Sequence, residues 1–163
     1  MAGTSMEGDW GRFANQLEKL INFDFTGLHK NIGAAMVSST QKRFKDEKGP
    51  DGTAWTKSIR AKTEGGQTLT DTARLKNSIT YQATPEGVAE GTNLIYASTM
   101  QGKDGKDTVI QAKTKKFLRF KIGNRFSMKK SVTIPARPFL GLSPDDVEEI
   151  KNIVMTRIEE TTK

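Results

Sequence analysis

Apolar positions recur at helical spacing towards both ends of the chain and at strand spacing between them. Trp10, Phe13, Leu17 and Leu20 follow steps of three and four, which predicts an amphipathic helix from about Asp9 to Ile21. Asn22-Phe-Asp24 interrupts the period, and Asp24 or Thr26 is placed to cap a second helix, since a short oxygen-bearing side chain can accept a bond from a free backbone N–H. That helix carries the stripe Leu28, Ile32, Ala35 and Met36 and runs to about Phe44. His29, the only histidine, falls beside the stripe and reads as a satisfied or half-exposed side chain rather than a catalytic one.

Lys48-Gly-Pro-Asp-Gly52 supplies turn chemistry that stops the second helix, with Trp55 beyond it as an anchor. The polar run 57–68 contains Gly65-Gly66 and reads as a mobile loop. Leu69, Leu75 and Ile79 predict a short helix over 69–79, capped by Thr70 or Asp71. A hairpin follows, with strands at 78–84 and 88–93 around the turn Pro85-Glu-Gly87. After Leu94–Ala97 and a loop at 101–106, Thr108–Ala112 and Lys116–Ile122 read as a further pair of strands. In the latter, Leu118, Phe120 and Ile122 alternate with Arg119 and Lys121, as in a strand with one buried face. Residues 123–130 read as a loop, and Ser131–Ile134 as a short strand ending at Pro135-Ala-Arg-Pro138.

The last element has the clearest signals. Ser143 precedes Pro144 at the first helical position and two aspartates in the first turn, and Ser143 with Asp146 approximates a capping box. Val147, Ile150, Val154 and Ile158 then predict one apolar face through about Glu159. Helices at both ends with short strands between them indicate an α+β fold: N-terminal helices, a central antiparallel sheet of short strands and a C-terminal amphipathic helix. The expected division is a helical segment at 1–46 and an α+β domain at 47–163, forming one compact unit.

Composition narrows the chemistry. The 163 residues contain no cysteine, which removes disulfides, thiolate metal sites and cysteine nucleophiles, and one histidine leaves no multi-imidazole zinc site. Met1–Met6 is neither basic nor hydrophobic, so no secretory signal is expected, and no apolar run reaches the ~18 residues of a membrane span. The net charge of +7 is unevenly placed: Gln101–Arg137 holds eleven basic residues against two acids, a net of +9, while the rest has 15 against 17. Such a field suits phosphate, an acidic protein surface or an anionic membrane; a solvated lysine-rich hairpin that discourages edge-to-edge aggregation accounts for it equally well.

Catalytic equipment is sparse. The acid pairs Asp46-Glu47, Asp145-Asp146, Glu148-Glu149 and Glu159-Glu160 read as structural, the last three facing solvent on the terminal helix. No P-loop, dinucleotide fingerprint, nucleophile elbow or metalloprotease motif is present, so neither an enzyme nor a cofactor or metal is expected. The stretch 113–121 interleaves cations with aromatics, as a stacking platform for nucleic acid would, with Phe117 its better exposed aromatic and Phe120 assigned to the core. Lys113, Lys115, Lys116, Arg119, Lys121, Arg125, Lys129 and Lys130 are the candidate residues facing DNA or an acidic partner. A small non-specific DNA-binding accessory protein is therefore one reading.

Four stretches, in order, carry a resemblance: Phe44 with Pro50-Asp-Gly52 and Trp55; Gln67-Thr-Leu-Thr-Asp-Thr-Ala-Arg-Leu-Lys-Asn-Ser-Ile79; Gly91-Thr-Asn-Leu-Ile-Tyr-Ala97; and Ile134-Pro-Ala-Arg-Pro-Phe-Leu-Gly-Leu-Ser143. Together they resemble the phage virion morphogenesis proteins, the tail-completion and head–tail joining proteins of Mu-like and P2-like tailed phages, from about Phe44 to the C-terminus. The chain departs from the family's pattern at Thr72-Ala73, where a Thr-Gly pair is common, and at Ser98–Gly102, where a His-Gln-x-Gly type stretch is common. The resemblance implies a structural virion protein at the tail end or neck, assembled in the host bacterial cytoplasm. It implies a homo-oligomeric ring, hexameric like the tail, whose partners are the tail tube or tail terminator and the head connector, without a membrane. On this reading Pro135, Arg137, Pro138, Phe139 and Leu140 form a stiff segment that docks on a neighbouring subunit or turns a corner inside its own core, and the basic region meets an acidic rim or makes non-specific contact with genomic DNA passing through.

Overall fold

Two aspartates set the helical start of the fold. In a computed structural model describing residues 8–113, 116–122 and 125–162, Asp9 accepts a bond from the Arg12 amide (3.0 Å) at the start of α1 (Trp10–Ile21). Asp24 accepts one from Gly27 (2.8 Å) at the start of α2 (Phe25–Asp46). Both helices lie where the apolar period predicts them. The spine of the molecule is α2, 22 residues long. Its first half buries Leu28, Ile32 and Met36 against Phe23, Val88, Ile150, Ile153 and Val154. Its end buries Phe44 against Trp55 and Phe139, with ring centroids 5.5 and 5.3 Å away, in a second cluster completed by Leu75, Ile79 and Ala97. His29 is half-buried and its Nδ1 lies 2.7 Å from the Thr84 carbonyl, a satisfied histidine as expected.

The segment after Trp55 is more ordered than its composition predicts. The expected loop at 57–68 contains α3 (Ile59–Thr63), whose start is capped by Ser58 accepting from the Ala61 amide. The loop ends by packing back on α2: Thr68 is fully buried, Gln67 donates to the Lys45 carbonyl at 2.9 Å, and the Glu47 carboxylate accepts from the Thr68 amide. The helix expected over 69–79 contracts to α4 (Arg74–Asn77), and neither Thr70 nor Asp71 caps it. Ala73 stands at the cap in the left-handed region, φ 55°. Leu94–Ala97 leads into α5 (Ala97–Gln101), a turn of helix that the sequence pattern does not announce.

Among the described residues the strands divide among three antiparallel ladders of two rather than one central sheet. β1 (Thr80–Thr84) pairs with β2 (Gly87–Gly91) as the expected hairpin, and lies across α2. Approach is close there: a Cβ on Gly33 would sit 2.3 Å from the Tyr81 ring, so only glycine lets helix and hairpin meet. Beyond α5, β3 (Thr108–Gln111) pairs not with its successor but with β6 (Ser131–Ile134). β4 (Leu118–Ile122) pairs with β5 (Arg125–Lys129), a strand formed where a loop was expected. The two ladders follow one another along a two-stranded arm from Thr108 to Ile134, with a register shift between Gln111↔Ser131 and Leu118↔Lys129.

The terminal helix α6 (Pro144–Thr162) starts as predicted, with the Ser143 amide and hydroxyl donating to the Asp146 carboxylate (both 2.7 Å) and the Asp146 amide donating back. Two expectations change. Asp146 is buried, not solvent-facing, and is ion-paired with Arg43 and hydrogen-bonded by Ser39. The inward face is Ile150, Ile153 and Val154, whereas Val147 and Ile158 are exposed, because α6 is rotated to bring Asp146 onto α2.

Candidate assembly surface

Residues directly opposite in an antiparallel ladder share a face, so the register sorts the arm's side chains. On β4–β5 one face carries Leu118 and Phe120 opposite Lys129 and Ser127. The other carries Arg119 and Lys121 opposite Met128 and Phe126. Phe120 is half-buried beside a cavity of about 650 Å³ between the arm and α3, lined also by Ile59, Val132, Ile134 and Arg137. The opposite face is open to solvent: Phe126 is 65% and Met128 66% exposed, and the Arg119 guanidinium stacks 4.5 Å from the Phe126 ring centroid. Lys113, Lys116, Arg119, Lys121, Arg125, Lys129 and Lys130 are all exposed; Lys115 lies outside the described residues. Phe117 is exposed too, though less than Phe126, which the loop expectation for 123–130 kept out of the aromatic candidates.

The segment Pro135–Leu140 faces its own core. Phe139 is fully buried and Arg137 nearly so, while Pro135, Pro138 and Leu140 are half-buried. Most of its backbone groups are engaged. Trp55 Nε1 donates to the Pro138 carbonyl at 2.9 Å, and Arg43 donates to the carbonyls of Phe139 (2.8 Å) and Gly141 (2.7 Å). The Gln101 amide accepts from Phe139 and Leu140 N–H and donates to the Leu140 carbonyl. Arg137 donates to the Thr56 carbonyl at 2.8 Å, and burial lowers its pKa against the opposing charge of Asp107. Two prolines hold this segment extended, and the surrounding side chains clamp it.

Two charged groups lie behind the clamp. Burial would raise the pKa of Asp146, but bonds from Ser39 and Ser143 and the Arg43 charge outweigh it and hold the carboxyl below its ordinary range. On β2, burial pushes the Glu90 carboxyl above its ordinary range, against the pull of Thr40 and Arg43. The Thr40 hydroxyl and one Glu90 oxygen have no hydrogen-bond partner of normal geometry among the described residues. Neither group faces a cleft with a second reactive side chain, and no three potential metal ligands converge among the described residues.

Other apolar surface is open. Ile95, inside the Gly91–Ala97 stretch, is 95% exposed, and Leu142 is 60% exposed. Along α1, Trp10, Phe13, Leu17, Leu20 and Ile21 are all exposed, and the helix leans on α6 without burying a residue. No described helix is long and apolar enough to cross a membrane.

Comparison with known protein families matches the phage virion morphogenesis family over residues 9–159, taking in α1 as well as the motifs from Phe44 onwards. No match was found among curated proteins or solved structures.

Proposed function

The chain belongs to the phage virion morphogenesis family, and from that premise we propose that it is a structural, non-catalytic virion protein that completes the tail and enables head–tail joining. It acts as a homo-oligomeric ring, hexameric, at the tail end or neck, against the tail tube or tail terminator on one side and the head connector on the other. The observation that carries this reading is the family match over nearly the whole chain. Exposed apolar side chains on α1, on the arm and at Ile95 support it, since contiguous apolar surface on a small chain marks sites of association. The clamped Pro135–Leu140 segment serves there as a rigid base for the arm and α6, with its half-buried Pro135, Pro138 and Leu140 as the part a neighbour can reach.

The test is electron microscopy of lysates from the source phage lacking this gene. Filled heads accumulating apart from tails, with tails of irregular length or ragged ends, are expected. Normal joined virions would remove the role, and a mass measurement giving one copy per tail would remove the ring.

A second reading rests on the open face of the arm, where Arg119, Lys121 and Phe126 place cations beside an aromatic ring. Non-specific DNA contact would then weaken steeply with salt, because each neutralised phosphate releases counterion. Absence of duplex binding by the purified protein at low ionic strength would eliminate it.

A further inference from the structure

Opposite charges occupy separate surfaces of this chain, each mixed with exposed apolar side chains. The open face of β4–β5 pairs Arg119 and Lys121 with Phe126 and Met128. The solvent side of α6 carries Glu148 and Glu159, both exposed, on the same face as Met155 (58% exposed), with Ile158 at its edge and Lys151 between them, paired with Glu148 at 3.2 Å. Within one chain these surfaces are not partners: α6 packs on α2 and α1, while the arm lies along α3. A two-stranded ribbon is marginally stable by itself in water, so an arm with two large apolar side chains exposed on one face calls for a cover.

We propose that the open face of the arm docks on α6 of a second copy, with Phe126 and Met128 against Met155 and Ile158 and the arm's cations against the helix carboxylates. This rests on the ring reading above and names its contact. Charge selects the arrangement: arm against arm would oppose like charges, so a two-fold contact through the arm is disfavoured, whereas the carboxylates beside Met155 offer the arm's cations a partner. Arm against α6 joins two different patches, which is a heterologous contact. Such contacts propagate from copy to copy and close into a ring when the rotation allows.

The cysteine-free chain permits a direct test. Full-length Phe126→Cys and Met155→Cys variants are supplied together to the source phage lacking the gene, the tails are purified and oxidised, and copies per tail are measured on the same material. Disulfide-linked dimers containing one of each variant are expected, and a chain carrying both substitutions gives a ladder of linked multimers. A ring of several copies with no such link overturns the contact while leaving the ring. Linked chains in an open or two-copy assembly keep the contact and overturn the ring. Neither link nor multiple copies overturns both.

Charge reversal provides a second readout. Arg119→Glu with Lys121→Glu is expected to lower joined virions about tenfold or more, since carboxylates then face carboxylates across the contact. Adding Glu148→Lys and Glu159→Lys to the same chain restores them. No recovery, together with protection of Phe126→Cys from thiol reagents by duplex DNA and not by a second copy, overturns the contact in favour of nucleic acid.

Discussion

Ala73 holds a left-handed backbone conformation (φ 55°) that costs an L-residue with a Cβ about 1–2 kcal/mol. Its neighbours match a family pattern in which glycine is common at this place, and the geometry supplies the reason. Ala73→Gly is expected to stabilise the protein by about 0.5–1 kcal/mol, less than the full strain because glycine is more flexible when unfolded, measurable as a higher denaturation midpoint. Asp146 is the opposite case, a buried acid whose removal strands Arg43. Asp146→Ala should cost about 3–5 kcal/mol in urea unfolding. Its lowered pKa adds stability that is present above the ordinary aspartate pKa and is lost as pH falls through the folded value. Glu90 runs the other way. Its raised pKa means the folded chain binds its proton more tightly, so its contribution is full below the ordinary glutamate pKa and is lost as pH rises through the folded value. Glu90→Gln should remove that loss, giving a flatter stability profile than the parent as pH rises above the ordinary glutamate pKa; an unchanged slope would refute it.

Among the elements, those with a long unbroken period were legible and those made by tertiary contact were not. α1, α2 and α6 begin at Trp10, Phe25 and Pro144, each just after a capping side chain (Asp9, Asp24 and Ser143) and ahead of an apolar stripe. α3 and α5 are five residues each, too short for a period to register. β5 escaped although Arg125–Lys129 alternates, Phe126 and Met128 against Arg125, Ser127 and Lys129, because five residues with two apolar positions give a weak signal that pairing with β4 completes. Close packing between elements is equally invisible until assembled. Gly33→Ala improves helix propensity by about 1 kcal/mol yet drives a methyl into the Tyr81 ring, so a net loss of about 1–2 kcal/mol in thermal unfolding is expected. Replacing 112–130 by an Asn-Gly turn removes the outer arm without touching either buried cluster. It should shift stability by less than about 1 kcal/mol while abolishing head–tail joining, the mark of an element built for a partner.

At the scale of the whole molecule, the net charge of +7 conceals a division between a basic arm and an acid-faced terminal helix. On the proposed arm-to-α6 contact, two copies would repel in bulk and attract through one relative orientation, which favours ordered assembly over indiscriminate aggregation. Ionic strength acts on that balance, since the Debye length falls from about 10 Å at 0.1 M salt to about 3 Å at 1 M. Association measured by light scattering on concentrated protein should weaken as salt rises. Strengthening with salt would show that apolar contacts alone hold the copies together.

The sequence by itself determined the three long helices, the α+β class, the hairpin at Thr80–Gly91, the uneven charge and the family, because capping, periodicity, turn chemistry and motif order are local properties of the chain. Only the tertiary structure decided which strands pair, that Phe139 and Arg137 face inward, that Asp146 is buried against Arg43, and that Phe126 and Met128 are left open on the arm. Those outcomes depend on which surfaces remain to be covered once α2 has been packed on both its flanks. That is a property of the assembled elements and is written in no single segment.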